Sequence, residues 1–368
     1  MPVAPLLTVA EYFAGIGLMR LGLERAGWKT LFANDIDPKK REMYAHHFGA
    51  SPELTLGDIH QLDPAAIPST TLATASFPCT DLSLAGARRG LRGRHSSAFW
   101  GFVDVLKAMG ARRPPLVLLE NVPGFLTSRE GADFREALLA LNRLGYSVDA
   151  FMIDAVRFVP QSRQRLFVVG QLGGEGGNVR ALDDGKPDEL RPAALREFIA
   201  RNRRVRWQLR ELPPLPNHAR QLADILEEMP ADSGLWWNDR RRDHLFGQMS
   251  AKHRSQAEKM IAASQVSYGT VFRRVRAAGA MAELRTDGIA GCLRTPRGGS
   301  ARQILFAAGR GKFAVRLLTG RECARLMGAD GFRLNVRLNQ ALFGFGDAVC
   351  VPVVAWIAGN YLNAAAEG

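Results

Sequence analysis

Cys79 follows Pro78 inside Ala75-Ser76-Phe77-Pro78-Cys79-Thr80-Asp81-Leu82-Ser83, and a thiolate there could act as a nucleophile. A carboxyl group, Glu120, leads Glu120-Asn121-Val122-Pro123-Gly124, and two guanidinium groups share Gln161-Ser162-Arg163-Gln164-Arg165. Together, each at a strand boundary, these suit chemistry on an electron-poor ring. A lone cysteine is more often a small buried hydrophobe. Here the two charged elements outweigh that reading.

Each group needs a rigid element to deliver it. Leu72 to Phe77 reads as a short buried strand that stops at Pro78, so Cys79 falls on a loop at a strand's end, where open sheets build their sites. Leu116 to Leu119 reads as the strand before Glu120. Gly145 to Ile153 and Leu166 to Gln171 read as an edge hairpin whose connection holds Arg163 and Arg165. Upstream, Leu6 to Phe13, Lys29 to Ala33 and Leu54 to Leu56 read as further strands, with helices over Leu18 to Ala26 and about Ala98 to Met109. The first 172 residues therefore predict a doubly wound, mostly parallel α/β sheet.

The 368 residues suffice for two domains, and the 46% hydrophobic content and mean hydropathy of -0.10 suit a soluble globular chain. No apolar stretch reads as approaching the ~20 residues that span a bilayer, and the N-terminus lacks the order of a secretory signal. Cys79, Cys292, Cys323 and Cys350 show neither CxxC nor zinc-ligand spacing, so reduced thiols in a cytoplasm and no metal are expected.

Net charge is +13, and residues 175–315 hold 25 Lys and Arg against 16 Asp and Glu. Gly173-Gly174-Glu175-Gly176-Gly177 reads as a joint. The expected division is residues 1–174 as a catalytic and cofactor-binding domain, 175–315 as a second domain, and 316–368 returning to the first through a C-terminal helix.

Phe13-Ala14-Gly15-Ile16-Gly17 is a strand–Gly–helix junction that lets backbone approach a ligand. Asp35 follows the second strand, where a carboxylate can hold ribose hydroxyls. Asp58 follows the third and could accept from an exocyclic amine. Gly, Asp and Asp at three successive strand ends describe a nucleoside-containing cofactor.

With these elements assembled, the chain resembles the cytosine-C5 DNA methyltransferases. The resemblance rests on Phe13 to Gly17, Asn34 to Asp37, Gly57-Asp58-Ile59, Phe77-Pro78-Cys79 to Ser83, Glu120-Asn121-Val122, Gln161 with Arg163 and Arg165, Arg316 to Glu322, and Gly346-Asp347-Ala348-Val349. It covers residues 6–172 and 314–362 in the family's order. It implies the class I S-adenosylmethionine-dependent fold with a smaller target-recognition domain over 175–315. Cys79 would attack C6 of cytosine, Glu120 would hold N3 and the exocyclic amine, Arg165 would hold O2, and Arg163 would orient the thiol side of the pocket.

For S-adenosylmethionine, whose product is S-adenosylhomocysteine, the resemblance implies Phe13, Gly15, Gly17, Asp35, Ile36, Asp58, Ile59, Pro78, Asp347 and Val349. Ile36 stands where members often carry a larger aromatic, and Asp347 where Asn is usual. The partner would be double-stranded DNA with the target base flipped out, contacted by Ser83, Arg88, Arg89, Arg92, Arg94, Gln161, Arg273, Arg274, Arg294 and Arg297. A monomer is sufficient, located in the cytoplasm with the nucleoid. A restriction endonuclease acting on the same site, outside any stable complex, is compatible. A tRNA cytosine methyltransferase of the same fold and a catalytically silent DNA-binding homologue are the alternatives.

Overall fold

The computed structural model describes residues 7–78, 97–174, 188–217, 220–276, 279–296 and 302–367. Cys79, Ser83, Arg88, Arg89, Arg92, Arg94 and Arg297 lie outside the described residues.

The apolar runs form one sheet from β1 (Thr8–Tyr12), β2 (Lys29–Asp35), β3 (Leu54–Leu56), β4 (Leu72–Ala75), β5 (Leu116–Asn121), β6 (Tyr146–Asp154) and β7 (Gln164–Leu172). Their order is β3-β2-β1-β4-β5-β7-β6. Every pairing from β3 to β5 is parallel, whereas β7 is antiparallel to both β5 and β6. β4 and β5 are buried throughout, as strands covered on both faces must be. Helices Ser97–Ala108 and Ala132–Arg143 supply Phe99, Phe102, Leu106, Phe134 and Leu138 to the main core.

Strand order reverses between β1 and β4, which places a ligand crevice beyond their carboxyl ends. The antiparallel β7 begins at that same edge. Its register pairs Asn121 with Leu166, so Arg165 lies beside the end of β5.

The chain divides by contact into two units, residues 1–154, 164–214 and 353–368 in one, and 155–163 with 215–352 in the other. The expected boundary after residue 174 thus falls inside the first unit. Residues 188–214 pack there because Trp207 bridges Val148 on the edge strand β6, and Arg191 closes on Asp149 at 2.9 Å. Of the expected returning segment 316–368, residues 353–368 fall in this unit and 316–352 in the other: Trp28 Nε1 donates to Asn363 Oδ1 at 2.8 Å, and Tyr361 stacks on Phe151.

The second unit holds an antiparallel sheet of β8 (Ser267–Arg276), β9 (Gly279–Arg285), β10 (Ile304–Gly309) and β11 (Lys312–Leu317), ordered β11-β10-β8-β9. Helices Asp239–Gly247 and Ala251–Ala262 contribute Leu245 and Ala257 to its core, against Val271, Ile304 and Phe306. The late motif is structural here. Arg316 and Glu322, 1% and 0% exposed, form a two-pronged pair, and Thr319 and Glu322 make the capping box of helix Gly320–Leu326.

One segment corrects the hydropathy reading. Leu338–Glu367 is long and apolar enough to cross a membrane by length and composition, but 67% of its apolar window is buried within the protein. That is the pattern of a core helix.

Candidate active site

β5 ends in Glu120 and Asn121 because the apolar run stops where its strand reaches the sheet's carboxyl edge. Glu120 Oε1 lies 2.9 Å from Arg165 Nε, with side-chain exposures of 8% and 15%. Arg165 Nη1 also donates to the Gln164 carbonyl at 2.8 Å, which fixes the plane of the guanidinium. A carboxyl group gripped from one side by an arginine is held in orientation for a ring placed before it.

Asn121 was not among the site residues expected from sequence. Its Nδ2 donates to the Phe77 carbonyl at 3.2 Å, and its Oδ1 accepts from Val122 N at 2.9 Å. Phe77 is buried among Phe99 and Phe125, and Pro78 beyond it is exposed. The amide therefore ties the strand that leads into Pro78-Cys79 to the strand that carries Glu120. An amide directly after the carboxyl group at a strand end was the signal that could have found it.

At the other side of the strand-order reversal, Phe13 has φ 58 and Gly15 has φ 59. A left-handed phenylalanine costs about 1–3 kcal/mol and needs surrounding structure to hold it. Gly15 N donates to Asp35 Oδ2 and Asp37 N to Asp35 Oδ1, each at 2.8 Å, so Asp35 locks the junction. Burial raises the Asp35 pKa, while Lys40 opposes the shift. Gly17 (φ 83) leaves no room for a side chain, because a Cβ would collide with Phe48 and Tyr44.

Ile36 is 65% exposed and Leu56, paired with Asp35 across β2 and β3, is 38% exposed. Two exposed aliphatics beside a buried carboxyl group fit an adenosine: apolar contact for the base and an acceptor for ribose. Asp58 Oδ1 accepts from His60 N at 3.0 Å, which orients its carboxylate at the end of β3. Ile59 is 4% exposed and packs in the core, so its side chain does not line an open site. Among the described residues no His/Cys/Asp/Glu group is arranged to hold a metal ion.

In the second unit, Asp347 is exposed and Val349 is 3% exposed. Gln161 requires a correction. It is fully buried, its Oε1 accepts from Leu293 N at 2.9 Å and its Nε2 donates to Leu326 O at 2.7 Å, so it is a packing residue and not a DNA contact. Arg163 is 2% exposed and donates to Leu293 O, Gly346 O and Ala348 O. Arg273 is partly buried. Arg274 is paired with Glu283 at 3.0 Å, which neutralises much of its attraction for phosphate. Arg294 is exposed.

A family model described as C-5 cytosine-specific DNA methylase matches residues 7–363. The Type II methyltransferase M.NgoBI of Neisseria gonorrhoeae is 29% identical over 346 residues, covering 94% of this chain and 89% of that protein. M.HaeII of Haemophilus aegyptius is 28% identical over 355 residues, covering 96% and 92%. Among solved structures, the S. pombe Dnmt2 methyltransferase superposes with a TM-score of 0.61 at 18% identity, covering 96% of this chain and 97% of that one, a likeness of fold.

Proposed function

The chain belongs to the C-5 cytosine-specific DNA methylases, and we propose that it methylates a flipped-out cytosine in duplex DNA through Cys79, Glu120 and Arg165. The observation that carries this reading is the Glu120–Arg165 pair at 2.9 Å, with Glu120 on the strand next to the one that leads into Pro78-Cys79 and Arg165 on the strand beyond it.

Cytosine C5 becomes nucleophilic only after addition at C6. The Cys79 thiolate forms a bond to C6, and the displaced electron pair moves through the ring toward N3. Glu120 hydrogen-bonds N3 and the exocyclic amine as that charge develops, and Arg165, already braced on Glu120, holds O2. C5 then takes the methyl group. A base, a water or a side chain, removes the C5 proton, and the C6–sulfur bond breaks to return the thiolate. Asn121 keeps the cysteine-bearing strand end in register with Glu120 throughout.

S-adenosylmethionine is the family's methyl donor, and when bound it supplies an electrophilic methyl on a sulfonium. Asp35 fits its ribose, Asp58 its adenine amine, and Ile36 the adenine face. Phe13 and the backbone of Gly15 and Gly17 fit the opposite side. The relatives named as Type II methyltransferases support a modification role beside a restriction endonuclease that acts separately on the same site. One set of reacting groups per chain makes a monomer sufficient, working in the cytoplasm on nucleoid DNA.

Bisulfite sequencing of DNA from cells expressing the chain tests this. The expected result is 5-methylcytosine in one sequence context, lost in Cys79→Ser. Methylation that survives Cys79→Ser contradicts the mechanism, and none from the wild type contradicts the function.

A further inference from the structure

Gln161 and Arg163 clasp one short stretch of the second unit from end to end. The loop that carries them pairs with it in parallel: Ser162 N donates to Ala290 O at 3.0 Å, and Ala290 N donates to Pro160 O at 2.8 Å. Leu293 has both backbone groups taken by side chains of that loop, its N–H by Gln161 Oε1 at 2.9 Å and its carbonyl by Arg163 Nη1 at 2.8 Å. The other prong of Arg163 holds Gly346 O at 3.0 Å and Ala348 O at 2.5 Å. Gly346 lies flat on the next two residues, since a Cβ there would sit 2.5 Å from Thr295 N and 2.6 Å from the Arg294 carbonyl carbon.

The residue this scaffold presents is Arg294. Its neighbours Leu293 and Pro296 are buried, whereas Arg294 is exposed. Its guanidinium lies 5.5 Å from the centre of the Phe272 ring, beside a cleft of about 240 Å³ that Thr270, Arg274 and Cys292 also line. The other arginines of the cleft are matched by acids, Arg274 by Glu283 and Arg285 by Asp287. Among the described residues Arg294 makes no ion pair. A guanidinium 5.5 Å from an aromatic ring centre, unmatched by an acid among the described residues and with its backbone held between Leu293 and Gly346, suits a two-acceptor edge such as guanine O6 and N7.

We propose that Arg294 sets target-sequence specificity by donating to a guanine edge, and that Arg163, aided by Gln161, is the positioning residue that fixes it there. The proposal rests on the reading of the chain as a DNA cytosine methylase. It gives Arg163 a duty in recognition that the expected role beside the thiol did not include.

The test uses the full chain and the target sequence found by bisulfite sequencing. kcat/KM is measured on the target duplex and on duplexes changed one base pair at a time, for the wild type, Arg294→Ala and Arg163→Lys. Arg294→Ala should lose on the order of 10- to 100-fold on the target, with discrimination collapsing at one G·C pair and kept elsewhere. Replacing that guanine with 7-deazaguanine should slow the wild type and leave Arg294→Ala unaffected. Arg163→Lys should relax discrimination at the same pair, a ratio that a general loss of activity does not move. If Arg163→Lys fails to fold, Gln161→Glu is read in its place.

Equal loss on every duplex for Arg294→Ala, the signature of a phosphate contact, overturns the proposal. So does unchanged discrimination at every position, or an Arg163→Lys loss uniform across all duplexes. A wild type that methylates while these ratios stay fixed defeats this inference alone. A wild type that methylates no DNA defeats the parent reading as well.

Discussion

Two arginine–glutamate pairs serve opposite ends in the two units. Arg316–Glu322 is closed: both side chains are at most 1% exposed, and Glu322 takes four donors, two from Arg316 and one each from the backbone of Thr319 and Glu227. Arg165–Glu120 stands at a sheet's carboxyl edge, with 15% and 8% of the side chains open. A pair whose carboxylate oxygens are all engaged holds structure together, because removing either partner leaves a buried charge behind. A pair at an open strand end can still meet a ligand. A third carboxyl group completes the series. Glu11, in the middle of β1, is 1% exposed with Oε2 buried and unbonded, and burial pushes its pKa up to about 8 against the pull of Arg20.

The comparison breaks most visibly at Glu322. Glu322→Ala should cost about 3–5 kcal/mol of stability by stranding Arg316 and the Thr319 and Glu227 amides, seen as a large fall in the denaturation midpoint. Glu120→Gln should do the reverse. Its melting temperature should stay near the wild type while kcat drops on the order of 10²- to 10³-fold, measured by methyl transfer to the target duplex. If Glu120→Gln unfolds the protein as readily as Glu322→Ala, the distinction between the two pairs fails.

Smaller effects sharpen it. Asp35→Ala removes the acceptor that locks Gly15, and should weaken S-adenosylmethionine binding about 10-fold in calorimetry, with little change in affinity for DNA. Glu11 gives an effect with a sign. The unfolded chain ionises near 4.5 while the folded carboxyl keeps its proton to about 8. Stability should therefore fall as pH climbs between those values. Glu11→Gln should flatten that slope and melt a few degrees above the wild type at pH 8, in melts taken from pH 5 to 8.

The strand ends that carry Pro78, Glu120 and Arg165 were legible in sequence because these residues flank apolar runs that stop abruptly. β4 before Pro78 and β5 before Glu120 needed only local pattern, and the hairpin of β6 and β7 followed from its two apolar stretches. What stayed hidden depends on distant partners. Residues 188–214 carry no strand period, and their place in the first unit rests on Arg191 finding Asp149 and Trp207 finding Val148. Gln161 looked like a polar residue available to DNA, because nothing near it in the chain announces that residues 290–293 fold over it. The Arg316–Glu322 closure was visible only as a capping signal, without its burial.

The central claim is a covalent bond between Cys79 and a cytosine gripped by Glu120 and Arg165. A duplex with 5-fluorocytosine at the target tests it directly, because fluorine at C5 cannot leave as a proton does, so the sulfur–C6 bond cannot be released. With S-adenosylmethionine present, intact-mass analysis should show a one-to-one protein–DNA adduct that maps to the Cys79 peptide and is absent in Cys79→Ser. No adduct on a duplex that the enzyme otherwise methylates, or an adduct on another residue, would contradict it.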